Sequence, residues 1–217
     1  VSTADDLVEY KKIYRNVVLV PPSHKGIGKV RSYIINKWAK HDDKIIMIDD
    51  DIKQVKDDTG ADVNLKYFFK EFFNNLKEEQ LYFGGIVLCN NPFFMKRTWT
   101  TTLKYVSGAM QFYIVNKNKD EIDCLFNHFE DFYYNIRYFK RDGGILRCNF
   151  VTPITKNYNT NGGICSQMGG LENRLKEAEE NADKICDTYK GMVRKYYKKA
   201  GRGPACVNLR LNHHFKI

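Results

Sequence analysis

The chain has 217 residues, 43% of them hydrophobic and 28% charged. That composition supports a buried core and excludes a disordered or collagen-like polymer. Lys and Arg (35) exceed Asp and Glu (26) for a formal charge of +9, and no run approaches the roughly 18 apolar residues of a membrane helix. Val1–Asp6 is neither basic nor apolar, so no secretory signal is expected, and the missing initial Met predicts a trimmed start. Six cysteines, none in a C-x-x-C pair, read as reduced thiols of a cytoplasmic protein.

Asn16–Val20 (NVVLV) is a short apolar run stopped by Pro21-Pro22, which predicts a buried strand. SHKGIGK follows as a loop. Ile27, Val30, Ile34, Ile35 and Trp38 then recur at helical spacing up to Lys40. Lys44–Ile48 (KIIMI) predicts a second buried strand, running into Asp49-Asp50-Asp51. Strand, helix and strand in this order predict a βαβ unit and a parallel sheet. Leu65, Phe68, Phe69, Phe72, Phe73 and Leu76 form another helical stripe, and Leu81–Cys89 reads as a strand. One or two strands are expected over Thr98–Asn116, broken near Ser107-Gly108. A helix occupying the second half of Ile122–Phe139 should end at Gly143-Gly144. A strand from Ile145 should stop at Pro153, and Lys156–Gly170 should be a polar, Gly-rich loop. The apolar stripe from Leu171 to Tyr196 predicts a long amphipathic helix, basic at its end, and Val207–Leu211 a last strand.

The sharpest chemical signal is the acidic triplet at the end of an apolar strand. Adjacent carboxylates repel one another, and hard oxygen ligands suit Mg²⁺ or Mn²⁺. Asp49 and Asp51 point to one side of an extended backbone. Asp57-Asp58 reads as an ordinary solvated turn. Glu130-Asp131 opens a helix, where acids serve either as favourable first-turn charges or as proton acceptors. Arg31 suits a phosphate or a uracil-type base, or else is a surface arginine. His24 and Lys25 are phosphate candidates, and His213 and His214 metal-ligand candidates; each is equally an ordinary polar residue. Trp99 and Tyr105 read as a strand face rather than a stacking platform. The stretch YKGMVRKYYKKAGR, Tyr189–Arg202, has six basic residues and no acid, which fits a phosphate backbone or a solvated helix end. Gly26 and Gly28 do not complete G-x-G-x-x-G, and no Walker, zincin or nucleophile-elbow motif is present.

VPPSHKGIGKVRSYI, KIIMIDDDI and FEDFYYNIRYFKRDGG, in that order, resemble the GT-A glycosyltransferases, and more closely the phage TET-associated glycosyltransferases linked to base J glucosyltransferases. The resemblance implies one GT-A domain over residues 1–217. Its fold would be α/β: a Rossmann-like mixed, mainly parallel sheet flanked by helices, with the basic helix at the C-terminal end. It implies Asp51 on a metal, with Asp49 on the ribose or sugar and on the metal through water. Asp50 would lie beside the nucleotide, Pro21 and Arg31 would line its pocket, and His214, or else His213, would be a further metal ligand. Asp131 would be the general base, with Glu130 holding a hydroxyl. The implied activity is inverting, metal-dependent transfer from a nucleotide sugar, a UDP-sugar such as UDP-glucose, to a 5-hydroxymethylated pyrimidine in DNA. Its implied partners are DNA and the nucleotide sugar, with no membrane. Rival readings are a protein, lipid or glycan acceptor, a sugar nucleotidyltransferase, and a non-catalytic DNA-binding module.

Overall fold

The computed structural model describes residues 1, 3–24, 26–89, 91–155, 171–199 and 206–217. The predicted loop over Lys156–Gly170 lies outside these, as do Lys25 and the end of the basic stretch. The chain is a mixed α/β structure. Its main sheet contains β1 (Lys44–Ile48), β3 (Phe83–Ile86), β4 (Trp99–Thr100), β5 (Met110–Ile114) and β6 (Leu146–Cys148), in the order β1-β5-β3-β6-β4. Only β3 and β6 run parallel; the other three pairings are antiparallel. β1 and β4 are therefore the outer strands. The mainly parallel sheet expected from the sequence is corrected to a mostly antiparallel one.

The predicted strand at Asn16–Val20 is absent. Val18 and Leu19 are exposed, and among the described residues the segment is tied to the chain start, Val1 donating to the Val18 carbonyl and Val20 to that of Val1. An apolar run becomes a strand only where a neighbour completes its ladder, and among the described residues none does. The βαβ unit disappears with it. Its helix remains, as α2 (Ile27–Tyr33) continued by a π turn over Ile34–Trp38. An unexpected helix, α1 (Ala4–Lys11), is capped by the Thr3 hydroxyl, which accepts from the Asp6 amide at 3.0 Å.

Two layers cover the sheet. Alternation along β5 turns Met110, Phe112 and Ile114 to one face and Gln111 and Tyr113 to the other. The first face packs on α3 (Leu65–Glu78), whose Phe68, Phe72, Phe73 and Leu76 form the expected stripe; Phe72 stacks on Phe112 with centroids 3.9 Å apart. The second face packs on α4 (Glu130–Asp142) through Phe83, Tyr113, Tyr138 and Ile145. Gly143, at φ +81°, ends α4 in the left-handed conformation that glycine adopts without steric cost.

β2 (Ile52–Asp57) pairs with β7 (Val151–Thr155) in a separate ribbon. Pro153 sits inside β7 rather than stopping a strand, as a two-stranded ribbon allows. α5 (Leu171–Thr188) is shorter than expected: its stripe ends before Tyr189, and the basic stretch becomes β8 (Val193–Lys198), which forms a hairpin with β9 (Cys206–Leu211). The C-terminal basic helix is thus corrected to a β-ribbon. Val193, Val207, Leu209 and Leu211 join the core with α5, and Lys195 pairs with Glu179 and Asp183. Alternation puts Arg194, Tyr196, Lys198 and Arg210 on the outer face. Among the described residues, no helix is long and apolar enough to cross a membrane.

Candidate functional site

Three distant stretches meet at one arginine. α2 carries Arg31, whose side chain is only 6% exposed. Its guanidinium donates to Asp49 Oδ1 at 3.1 Å, to Glu130 Oε1 at 3.2 Å and to the Gly108 carbonyl at 2.9 Å. Asp49 follows β1, Gly108 precedes β5 and Glu130 opens α4. The antiparallel β1–β5 register brings the first two together, since Ile48 lies opposite Met110. A Cβ at Gly108 would crowd the Arg31 guanidinium at 3.0 Å, so a side chain there would have to push the arginine aside.

Asp131 lies beside Glu130 in the first turn of α4. The Tyr105 hydroxyl donates to Asp131 Oδ2, and the Phe132 amide donates to Oδ1 at 2.8 Å. Tyr105 stacks on Phe132 with centroids 4.5 Å apart, and Asn135 grips both the amide and the carbonyl of Val106. The segment carrying Tyr105 is thereby fixed against α4. Phe129, just before the acidic pair, has φ +61°, a strained value for a bulky residue.

The electrostatics follow from burial. Burial, then the Asp131 charge, pushes the Glu130 carboxyl up to about 8, against the opposing pull of Arg31. Burial also raises Asp131, opposed by the hydrogen bonds from Tyr105 and the Phe132 amide. Two buried carboxylates side by side share protons rather than ionise independently. Asp49 is raised by burial and then, with Arg31 opposing, by Asp51, Asp50 and Asp131. Burial and Asp131 raise the Tyr105 hydroxyl well above its ordinary value, which keeps it a donor.

The structure thus joins Arg31, Asp49, Glu130 and Asp131. Asp50 and Asp51 lie in the turn after β1, with their charges beside Asp49, while Pro21 and His214 are not joined to the cluster. His214 is exposed, and its neighbour His213 has Arg147, Lys104 and Arg210 as charged neighbours. Among the described residues, no three His, Cys, Asp or Glu side chains are grouped to hold a metal, so a three-ligand site of Asp49, Asp51 and His214 is not assembled. Pro21 precedes a short turn, Pro22–His24, with no hydrogen bond to the cluster, and His24 packs on Tyr33. Trp99 is a core residue against Phe68, Phe72 and Phe150. Asp57 and Asp58 form a surface turn paired with Arg97.

Sequence reasoning missed Gly108 and Arg147 and misread Tyr105. Arg147 lies on β6 between Leu146 and Cys148, which face α3, so it faces the α4 side. Its Nε is buried without a hydrogen-bond partner, and it forms no ion pair among the described residues. Tyr105 is one of its electrostatic neighbours. Comparison of the chain with protein-family models, with curated proteins and with solved structures finds no match.

Proposed function

We propose that this chain is a GT-A-type glycosyltransferase that moves a sugar from a nucleotide sugar to the hydroxyl of a 5-hydroxymethylated pyrimidine in DNA. One observation carries the reading: Arg31 ties the acidic end of β1 to the acidic start of α4, so donor-side and acceptor-side carboxylates share one site. A non-catalytic module has no need for that juxtaposition.

The donor set fits a shared cation better than a protein cage. Mg²⁺ commonly takes one or two carboxylates and completes its shell with substrate phosphates and water. Asp49 and Asp51 would hold Mg²⁺ or Mn²⁺, with Asp50 beside the nucleotide, and the cation would offset charge on the departing diphosphate. The remaining chemistry belongs to the chain. Asp131 removes the proton of the acceptor hydroxyl as its oxygen bonds to the anomeric carbon. The bond from that carbon to the diphosphate breaks, and its electron pair leaves with the diphosphate. In-line attack inverts the centre through an oxocarbenium-like transition state. Glu130, protonated near neutrality, donates a hydrogen bond, while Tyr105 and the Phe132 amide orient Asp131.

The test incubates the protein with hydroxymethylated DNA, Mn²⁺ and a panel of UDP-sugars, followed by mass spectrometry of the released nucleosides. A hexose added to the modified base supports the reading. No adduct with any donor overturns it.

A further inference from the structure

Arg147 poses a separate problem. Its place in the sheet is fixed by register: it pairs with Gly85 on β3 and with Thr100 on β4. Gly85 has no side chain to meet it. A buried guanidinium Nε–H without a partner is costly, and native structures keep one where something else completes it. Among the described residues the ionisable neighbours of Arg147 are the Cys89 and Cys148 thiols and the Tyr105 hydroxyl, with no carboxylate. Lys104 has Arg147 and Lys96 as charged neighbours, and His213 has Arg147, Lys104 and Arg210. None of Arg147, Lys104 and Arg210 forms an ion pair among the described residues, where Lys195 has two. The residue is only partly buried, so the group is not sealed away from solvent.

The positive charge continues outward. On the ribbon, Arg194 lies directly opposite Arg210, a like-charge cross-strand pair that is unfavourable unless an anion lies over it. The Arg210 guanidinium sits 5.1 Å from the centre of the Tyr196 ring on the same face. A row of cations interleaved with an aromatic suits a nucleic-acid strand. The inner end of this row meets Tyr105, the residue that holds Asp131.

We infer that Arg147, Lys104 and His213 form a phosphate pocket that seats one backbone phosphate of the acceptor strand beside Asp131, and that Arg210 and Arg194 carry the strand away across the ribbon. This rests on the glycosyltransferase reading for its purpose but not for its test. A diphosphate shares the chemistry of a phosphodiester, so the experiment separates the two.

Binding of a short labelled, unmodified oligonucleotide is measured by anisotropy without donor or metal, over about 50–200 mM salt. Arg147→Gln should weaken binding about tenfold and lower the salt slope by about one, and Arg147→Lys should restore most of that slope. The double variant Lys104→Ala with His213→Ala, changing residues nearer the surface, should weaken binding in the same direction. Wild-type binding by both the Arg147→Gln and the double variant would overturn the proposal. So would variants that lose pyrophosphate or UDP binding yet hold the oligonucleotide, since the pocket would then belong to the donor. Oligonucleotide binding that depends on Arg147, with no sugar transferred to any DNA, would leave this pocket standing and sink the glycosyltransferase reading instead.

Discussion

The two charged clusters on the α4 side of the sheet are built by opposite rules. Around Arg31, cation and carboxylates answer one another: Asp49, Glu130 and a backbone carbonyl share its donors. Around Arg147, cations accumulate with no carboxylate among the described residues. A cluster that satisfies itself positions its own members. A cluster that does not points to something absent from the chain. The first is thus the place to look for chemistry, and the second for a ligand.

The largest expected effect lies in the first cluster. Asp131→Asn should lower turnover by about 10²–10⁴-fold while nucleotide-sugar affinity changes little. A mild loss would assign the base elsewhere or favour a retaining route. Next, the clusters should respond oppositely to loss of their arginines. Arg31→Met leaves Asp49, Glu130 and the Gly108 carbonyl without their shared donor and should cost about 1–3 kcal/mol in denaturant unfolding. Arg147→Met removes a charge with no carboxylate partner among the described residues, so it should leave stability unchanged or higher. Equal losses from the two would erase the distinction.

A smaller effect is expected from pH. Burial raises Glu130 from an ordinary 4.5 to about 8, so the folded state binds more protons than the unfolded state between those values. Stability contributed by the protonated carboxyl is complete below about 4.5 and is lost as pH rises through about 8. Thermal melts across that window should show the decline, and Glu130→Gln should flatten it. A bound cation favours the ionised carboxylates, so Mn²⁺ should stabilise the protein more at the alkaline end of the window. Equal Mn²⁺ shifts at both ends would argue against a cation beside these carboxylates. The smallest effect separates two basic residues of the ribbon. Lys195 is already paired with Glu179 and Asp183, so Lys195→Ala should barely alter oligonucleotide binding, whereas Arg210→Ala should weaken it.

Elements that bury one face through local pattern were legible in the sequence. α3 was readable from its Phe stripe, and α4 from Phe132, Ile136 and Phe139 with a glycine stop. NVVLV was not, because strand formation needs a partner that no local pattern reveals. The ribbon was misread because Tyr189, Met192, Val193 and Tyr196 extend the helical spacing of α5. Gly191, at φ +81°, and the period-two alternation from Val193 to Lys198 were the available signals. At the site, Asp49, Glu130 and Asp131 were legible as acids at element ends, and Arg31 as their cation was not. Tyr105, Gly108 and Arg147 draw their meaning from the β1–β5 and β3–β6 registers and from the crossing of residues 101–109, which no short motif encodes.

The position of β1 at the sheet margin has a consequence for handling the protein. An outer strand leaves backbone donors and acceptors that a strand from another molecule can extend, the usual seed of aggregation. β1 is rich in isoleucine, and Ile48 at its end is 48% exposed. Lys44 begins it and Asp49-Asp50-Asp51 follow it, so its tip is bracketed by charge. The acidic triplet whose first member holds Arg31 therefore also acts as a gatekeeper, keeping this margin from recruiting further copies of the chain.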